Sequence, residues 1–213
     1  MTTDDLIARL TGELKPVPRT AVLRRVAIGL GSSLAASATL MYFWLGMRPD
    51  LMTAMETTPF WAKFVYTLSL AIAGAWALKR IAHPLGSIRI NLALMGALIV
   101  AISILGFMQL AMAPPEAHYY LLTGHSVSIC TLNIVVLSLP LLAGAFWILS
   151  GLAPTRLTVA GAAAGLASGA IASLVYSFHC TESGMPFIAI WYTLGVLVPG
   201  LIGAIAGRYV LRW

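Results

Sequence analysis

Two short neighbourhoods of the chain carry residue types and spacings that could do chemistry. Cys130 and Cys180 are its two cysteines. His179 directly precedes Cys180, and His125 lies shortly before Cys130. A thiolate is a nucleophile and a soft-metal ligand, and an adjacent imidazole can lower a thiol pKa or share a metal. Thiolate and imidazole together suit soft or borderline ions such as zinc or cadmium. Two thiols can instead close a disulfide if their Cα atoms come within about 7 Å. Neither a C-x-x-C pattern nor tight ligand spacing is present, so a metal at Cys130 and Cys180 would be transient rather than structural. Three readings fit the pair: a structural disulfide, a reversible thiol pair answering oxidants or soft metals, or two unrelated buried cysteines. No set of nucleophile, base and orienting acid is visible, which reads as a non-enzyme without a cofactor.

The elements that must position these residues are membrane spans. Of 213 residues, 60% are hydrophobic and 9% charged, against about 25% charged in a soluble domain. The pattern predicts an all-α polytopic protein with six transmembrane helices, near 26–45, 60–78, 90–112, 129–149, 157–178 and 187–208. Ala36-Ser37-Ala38 has the form of a signal-peptidase site, but the apolar run continues past it to Leu45, so the first segment reads as a span. The longest internal connection runs from Pro114 to Ser128 and reads as a loop. His118 reads as a loop residue only, and His83, in the turn after span two, as solvated.

Six spans put both termini on one side. Of the 13 Lys and Arg residues, only Arg48 and Lys63 fall on the other side, a positive-inside signal for cytoplasmic termini in a bacterial inner membrane. The net charge of +6 is thereby explained without direct nucleic-acid binding. Cys130 opens span four and Cys180 follows span five, so both thiols fall at the external membrane surface, where disulfides persist. Asn133 lies one turn beyond Cys130 on the same face.

The span interiors lack Asp, Glu, Lys, Arg and His, which counts against an ion-coupled exporter of metals or drugs. A membrane thiol oxidoreductase is the other alternative, and it would call for a C-x-x-C or a second cysteine pair. Gly161, Gly165 and Gly169 in span five, and Gly203 and Gly207 in span six, repeat at close-packing intervals. They fit either packing within the bundle, the favoured reading, or a homodimer interface.

The one long polar stretch is residues 1–25, set apart from the transmembrane domain of residues 26–213. Leu6, Ile7, Leu10 and Leu14 form an apolar stripe at helical spacing, Asp4 and Asp5 suit a first helical turn, and Pro16 ends the helix. Such a short amphipathic helix is marginal alone and needs a surface: a partner protein, the bilayer interface or the protein's own loops. Arg19, Arg24 and Arg25 fit either the topology signal alone, the favoured reading, or a hold on anionic lipid.

Nearly the whole chain resembles the NrsF-type membrane anti-sigma factors, negative regulators of an extracytoplasmic-function sigma factor. The resemblance rests on Thr3, Leu6, Ile7, Leu10, Pro16, Val17 and Arg24-Arg25. In the body it rests on Cys130, Pro140, Ala153-Pro154-Thr155, AGAAAGL at residues 160–166, Tyr176, His179-Cys180, Phe187, Trp191-Tyr192 and Leu211-Arg212-Trp213. Gly12-Glu13 departs from the Ala and Asp expected there. The resemblance implies six spans, a cytoplasmic N-terminal segment that sequesters the sigma factor, and external cysteines needed to sense heavy-metal or oxidative stress. On that footing Leu6, Ile7, Leu10 and Leu14, with Asp5 and Pro16, are the expected sigma-binding residues. Cys130, Cys180, His179 and His125 are the expected sensing residues.

Overall fold

The computed structural model describes residues 3, 5, 11, 12, 20–81, 86–152 and 154–212, and of Ser128 only the backbone. Every regular element among them is helical. Six helices are long and apolar enough to cross a membrane: α1 (Ala21–Leu45), α3 (Thr58–Ile81), α4 (Arg89–Met112), α6 (Val127–Ser150), α7 (Leu157–Tyr176) and α8 (Met185–Val210). At 20 to 26 residues, each matches a hydrocarbon core of about 30 Å. Two short helices, α2 (Leu51–Met55) and α5 (Pro115–Thr123), lie in connections.

The span boundaries differ from the sequence expectation by up to five residues, and helix α5 was not expected. Helix α1 begins at Ala21 rather than Val26, so Arg24 and Arg25 stand on the helix. The connection from Pro114 to Ser128, expected as a loop, contains α5. Pro115 takes the first helical position, where its missing N–H costs nothing, and Glu116 sits in the first turn. Gly124 ends the helix at φ +53°.

Helix α7 is the centre of the bundle and packs against α3, α6 and α8. Its Gly and Ala residues allow the approach. A Cβ at Gly161 would meet the carbonyl oxygen of Gly203, and one at Gly165 that of Pro199. The small-residue stripe is therefore spent on α8 within the chain. Helix α4 lies at the periphery, and α1 leans mainly on α6.

The helix ends sort into two groups. The end bearing residues 20–25, 150–157 and 208–212 is called the terminal end here. The end bearing residues 46–57, 113–126 and 177–184 is called the thiol end. Each has its own apolar cluster. Tyr66, Leu70, Ile134, Tyr176 and Tyr192 surround both cysteines toward the thiol end, and Ala77, Leu149, Ala160 and Leu211 belong to the other.

Candidate functional site

The structure brings Cys130 and Cys180 together. Cys130 stands in the first turn of α6, its N–H bonded to the Ser126 carbonyl at 2.9 Å. Cys180 follows the last turn of α7, its N–H bonded to the Tyr176 carbonyl at 3.0 Å. Both are free thiols, and at 0% and 3% exposure both are buried inside the thiol end rather than lying on its surface. The Cys130 and Cys180 side chains lie close enough to interact directly, and the phenols of Tyr176 and Tyr192 border the pair. Asn133 hydrogen-bonds the Tyr176 hydroxyl, which places it one shell behind Cys130, on the face its spacing indicated.

The segment after α7 is tied to three helices by charged groups. Lys63 of α3 is 1% exposed, and its ammonium donates to the carbonyls of Cys180 at 2.7 Å and Glu182 at 2.9 Å. Arg48, just beyond α1, donates from Nη1 to the same Cys180 carbonyl at 3.3 Å and from its backbone to Phe178 at 3.1 Å. Glu182 turns its carboxylate to the start of α6, where it accepts the His125 N–H at 2.7 Å and the Ser126 hydroxyl at 3.4 Å. A negative charge at a helix N-terminus faces the positive end of the macrodipole. Gly124 makes room for it: a Cβ there would meet the Glu182 carboxylate, and its positive φ already disfavours a side chain.

These groups set the electrostatics of Cys180. The Cys130 thiol, the Lys63 ammonium, the Tyr192 hydroxyl and the Glu182 N–H together hold the Cys180 thiol below its ordinary range, against the opposing pull of burial. The Arg48 guanidinium is held by Asp50 through two bonds at 2.9 and 2.7 Å. That pairing lowers the Asp50 carboxyl to about 2 and raises Arg48 further. The arrangement is a thiol whose thiolate form is favoured, with a second thiol beside it, enclosed but reached by fixed dipoles and the buried Lys63 and Arg48. It can bind a soft metal ion through two sulfurs or form a disulfide with its neighbour.

The two histidines are placed near the thiols in sequence but work elsewhere. His179 donates from Nδ1 to the Gly46 carbonyl at 2.9 Å and tilts against the Tyr176 ring, so it fastens α1 to the thiol segment. His125 packs edge-on to Tyr120 and offers its backbone N–H to Glu182. Among the described residues no three of His, Cys, Asp and Glu converge into a metal cage. His118, expected as a loop residue, stands on α5 and bonds the carbonyls of Leu110 and Ala113 at 2.9 and 3.1 Å. Of the expected sigma-binding residues, Leu6, Ile7, Leu10, Leu14 and Pro16 lie outside the described residues. Asp5 is helical and exposed.

Sequence reasoning did not find Lys63, Arg48, Glu182, Tyr176 or Tyr192 as site residues. Lys63 and Arg48 stood out only as the two cations on the poorer side, and Tyr176 and Tyr192 only among the residues that carry the resemblance. A signal was present nonetheless: a lysine one turn inside an apolar span must find acceptors, and Glu182 follows Cys180 by two residues.

Comparison with known proteins bears on what the arrangement is for. Residues 10–213 match the family described as NrsF, negative regulator of sigma F. The chain is 41% identical, over the whole length of both, to the anti-sigma-F factor NrsF of Caulobacter vibrioides (strain NA1000 / CB15N). It is 35% identical, again over the whole of both, to the probable anti-sigma-F factor NrsF of Azospira oryzae (strain ATCC BAA-33 / DSM 13638 / PS). No solved structure matches it.

Proposed function

The chain belongs to the NrsF family of negative regulators of sigma F, and on that premise we propose that it holds an extracytoplasmic-function sigma factor and lets it go when Cys130 and Cys180 are modified. Holding falls to the amphipathic stretch of residues 3–14, within the cytoplasmic segment that precedes α1. The stripe of Leu6, Ile7, Leu10 and Leu14, with Asp5 and Pro16 at its flanks, docks as an amphipathic helix in a groove of the sigma factor. A segment that orders on binding gives up affinity for ease of release. The role is regulatory binding, not catalysis.

The observation that carries the sensing half is the pair of free, buried, adjacent thiols at the end of the bundle away from the termini. Thiols this enclosed contribute little as surface chemistry, yet Cys180 is supplied with a cation and donors that favour its thiolate. Heavy-metal ions and oxidants both act on that thiolate. A metal would bridge the two sulfurs and displace the Cys130 proton. A peroxide would take two electrons from the pair, leaving a disulfide and water. Either change moves segment 177–184 against α6.

Orientation follows from charge. Arg24, Arg25, Lys79, Arg80, Arg89, Arg156, Arg208 and Arg212 gather at the terminal end, while Arg48 and Lys63 lie at the thiol end. This charge bias supports cytoplasmic termini, with the thiols at the periplasmic face of the inner membrane. A reporter read from a sigma-dependent promoter tests the reading, with cells carrying the full chain or its Cys130→Ser, Cys180→Ser or Leu10→Asp variant. The cysteine variants should repress but no longer respond to cadmium or diamide, and Leu10→Asp should be active without either. Cysteine variants that respond as wild type sink the sensing half, and a repressing Leu10→Asp sinks the holding half.

A further inference from the structure

At the terminal end one arginine joins the start of α1 to the close of α6. Arg25 donates from Nε to the carbonyls of Trp147 at 3.1 Å and Ile148 at 3.2 Å. Its Nη2 also bonds the Trp147 carbonyl and reaches the Ser150 hydroxyl at 3.3 Å. The guanidinium lies 4.4 Å from the centre of the Trp147 ring. The last carbonyls of a helix lack partners within it, and a forked cation satisfies two of them at once. Gly151 is shaped for this contact, since a Cβ there would fall on the guanidinium.

The two helices so joined are the ones that reach the two thiols. Cys130 stands in the first turn of α6, about 26 Å of helix from the latch carbonyls. The Cys180 segment is fastened to the far end of α1 by His179 on Gly46 and by Arg48 on the Cys180 and Phe178 carbonyls. Between these ends α1 and α6 touch closely. Ser37 Oγ donates to the Leu137 carbonyl at 2.9 Å. A Cβ at Gly144 would come within 2.8 Å of the Gly29 carbonyl, and one at Gly29 within 2.6 Å of Ile148. Contacts this tight do not absorb a shift in soft side chains. Each helix also has one place where it can bend or change register: the π turn Met41–Leu45 in α1, and Pro140 in α6.

We propose that Arg25 is the positioning residue that passes a change at the thiols to the N-terminal segment, by latching the end of α6 to the first turns of the helix that segment leads into. The proposal rests on the sensing reading above and adds its route. A displacement of α6 at Cys130, or of α1 through Arg48 and Gly46, changes how the two helices meet at Trp147 and Arg25. Only the residues before Thr20 lie beyond that contact. The pairing is discrete, formed or broken, as a coupling element must be.

The test uses the full chain in cells, with cadmium ion and diamide as probes. The variants are Arg25→Gln, Gly151→Ala and Arg25→Lys, the last keeping the charge but not the fork or the stacking. Protein levels are read by blot, and maleimide labelling of the buried thiols no faster than in wild type confirms an intact thiol end. The expected result is repression as in wild type without a probe, with induction reduced by about tenfold, well within the range of known couplings. Gly151→Ala carries the test if Arg25→Gln fails to accumulate, because it displaces the guanidinium without removing it. Wild-type induction in Gly151→Ala and Arg25→Lys overturns the route, as does a reporter already on without a probe. If Cys180→Ser also induces as wild type, the sensing reading has fallen and the latch with it. If Cys180→Ser is silent while the latch variants respond, only the latch has.

Discussion

Cys180 owes its properties to residues that no local pattern connects to it. Cys130 lies against it from α6, Lys63 faces it from α3, and Tyr192 lies beside it from α8. Because these hold its folded-state pKa down, the thiolate form favours the folded chain above the unfolded thiol pKa of about 8.5. That contribution fades as pH falls through the lowered folded value. Alkylation of Cys180 should therefore run to lower pH than that of a free thiol, and Cys130→Ala should move the profile back up. Lys63→Met should do the same. It should also lower the melting temperature in detergent, because the Glu182 carbonyl loses a buried donor at a cost of about 1–3 kcal/mol. An unchanged pH profile in both variants would mean that neither group sets the thiol. At this scale the sequence made the cysteines visible but misdirected the histidines. Adjacency in the chain suggested that His179 serves Cys180, whereas its ring turns to Gly46 across the bundle. Which way a side chain points from a turn depends on contacts distant in sequence.

The helices were the most legible part, because a run of apolar residues long enough to span a bilayer has few other uses. Their pairing was partly legible. Small residues four apart in α7 announced a close approach, and the structure spends them on Gly203 and Pro199 of α8. Backbone atoms are the obstacle there, so relief by rotamer change is unavailable. Gly165→Leu should abolish the monodisperse peak of the solubilised protein in size-exclusion chromatography, at a cost above the usual 1–3 kcal/mol, roughly, of overpacking. Gly96→Leu is the matched control, since nothing lies within 4 Å of a Cβ there. It should run as wild type. Equal behaviour of the two would refute the packing described. Helix α5 escaped sequence reading because two prolines and a short span look like a loop. Its start at Pro115 uses the same residue type as a helix opener.

For the molecule as a whole, composition and charge distribution were enough to predict six spans with the basic residues gathered at one end. The links between the ends were not predictable. Arg25 read as one more positive-inside charge, and its bonds to Trp147 and Ile148 depend on a neighbour 122 residues away. The proposed orientation predicts that alkaline phosphatase inserted after Gly124 is active and that the same insertion after Leu152 is not. The opposite pattern would invert the whole account. Its central claim is that thiol chemistry at one end governs sigma binding at the other. Co-purification of the sigma factor with the full-length chain from membranes, before and after cadmium, tests this most directly. The account predicts that wild type retains the sigma factor and releases it on cadmium, and that the Cys130→Ser/Cys180→Ser variant retains it throughout. Release from that double variant, at the same cadmium concentration, would contradict it.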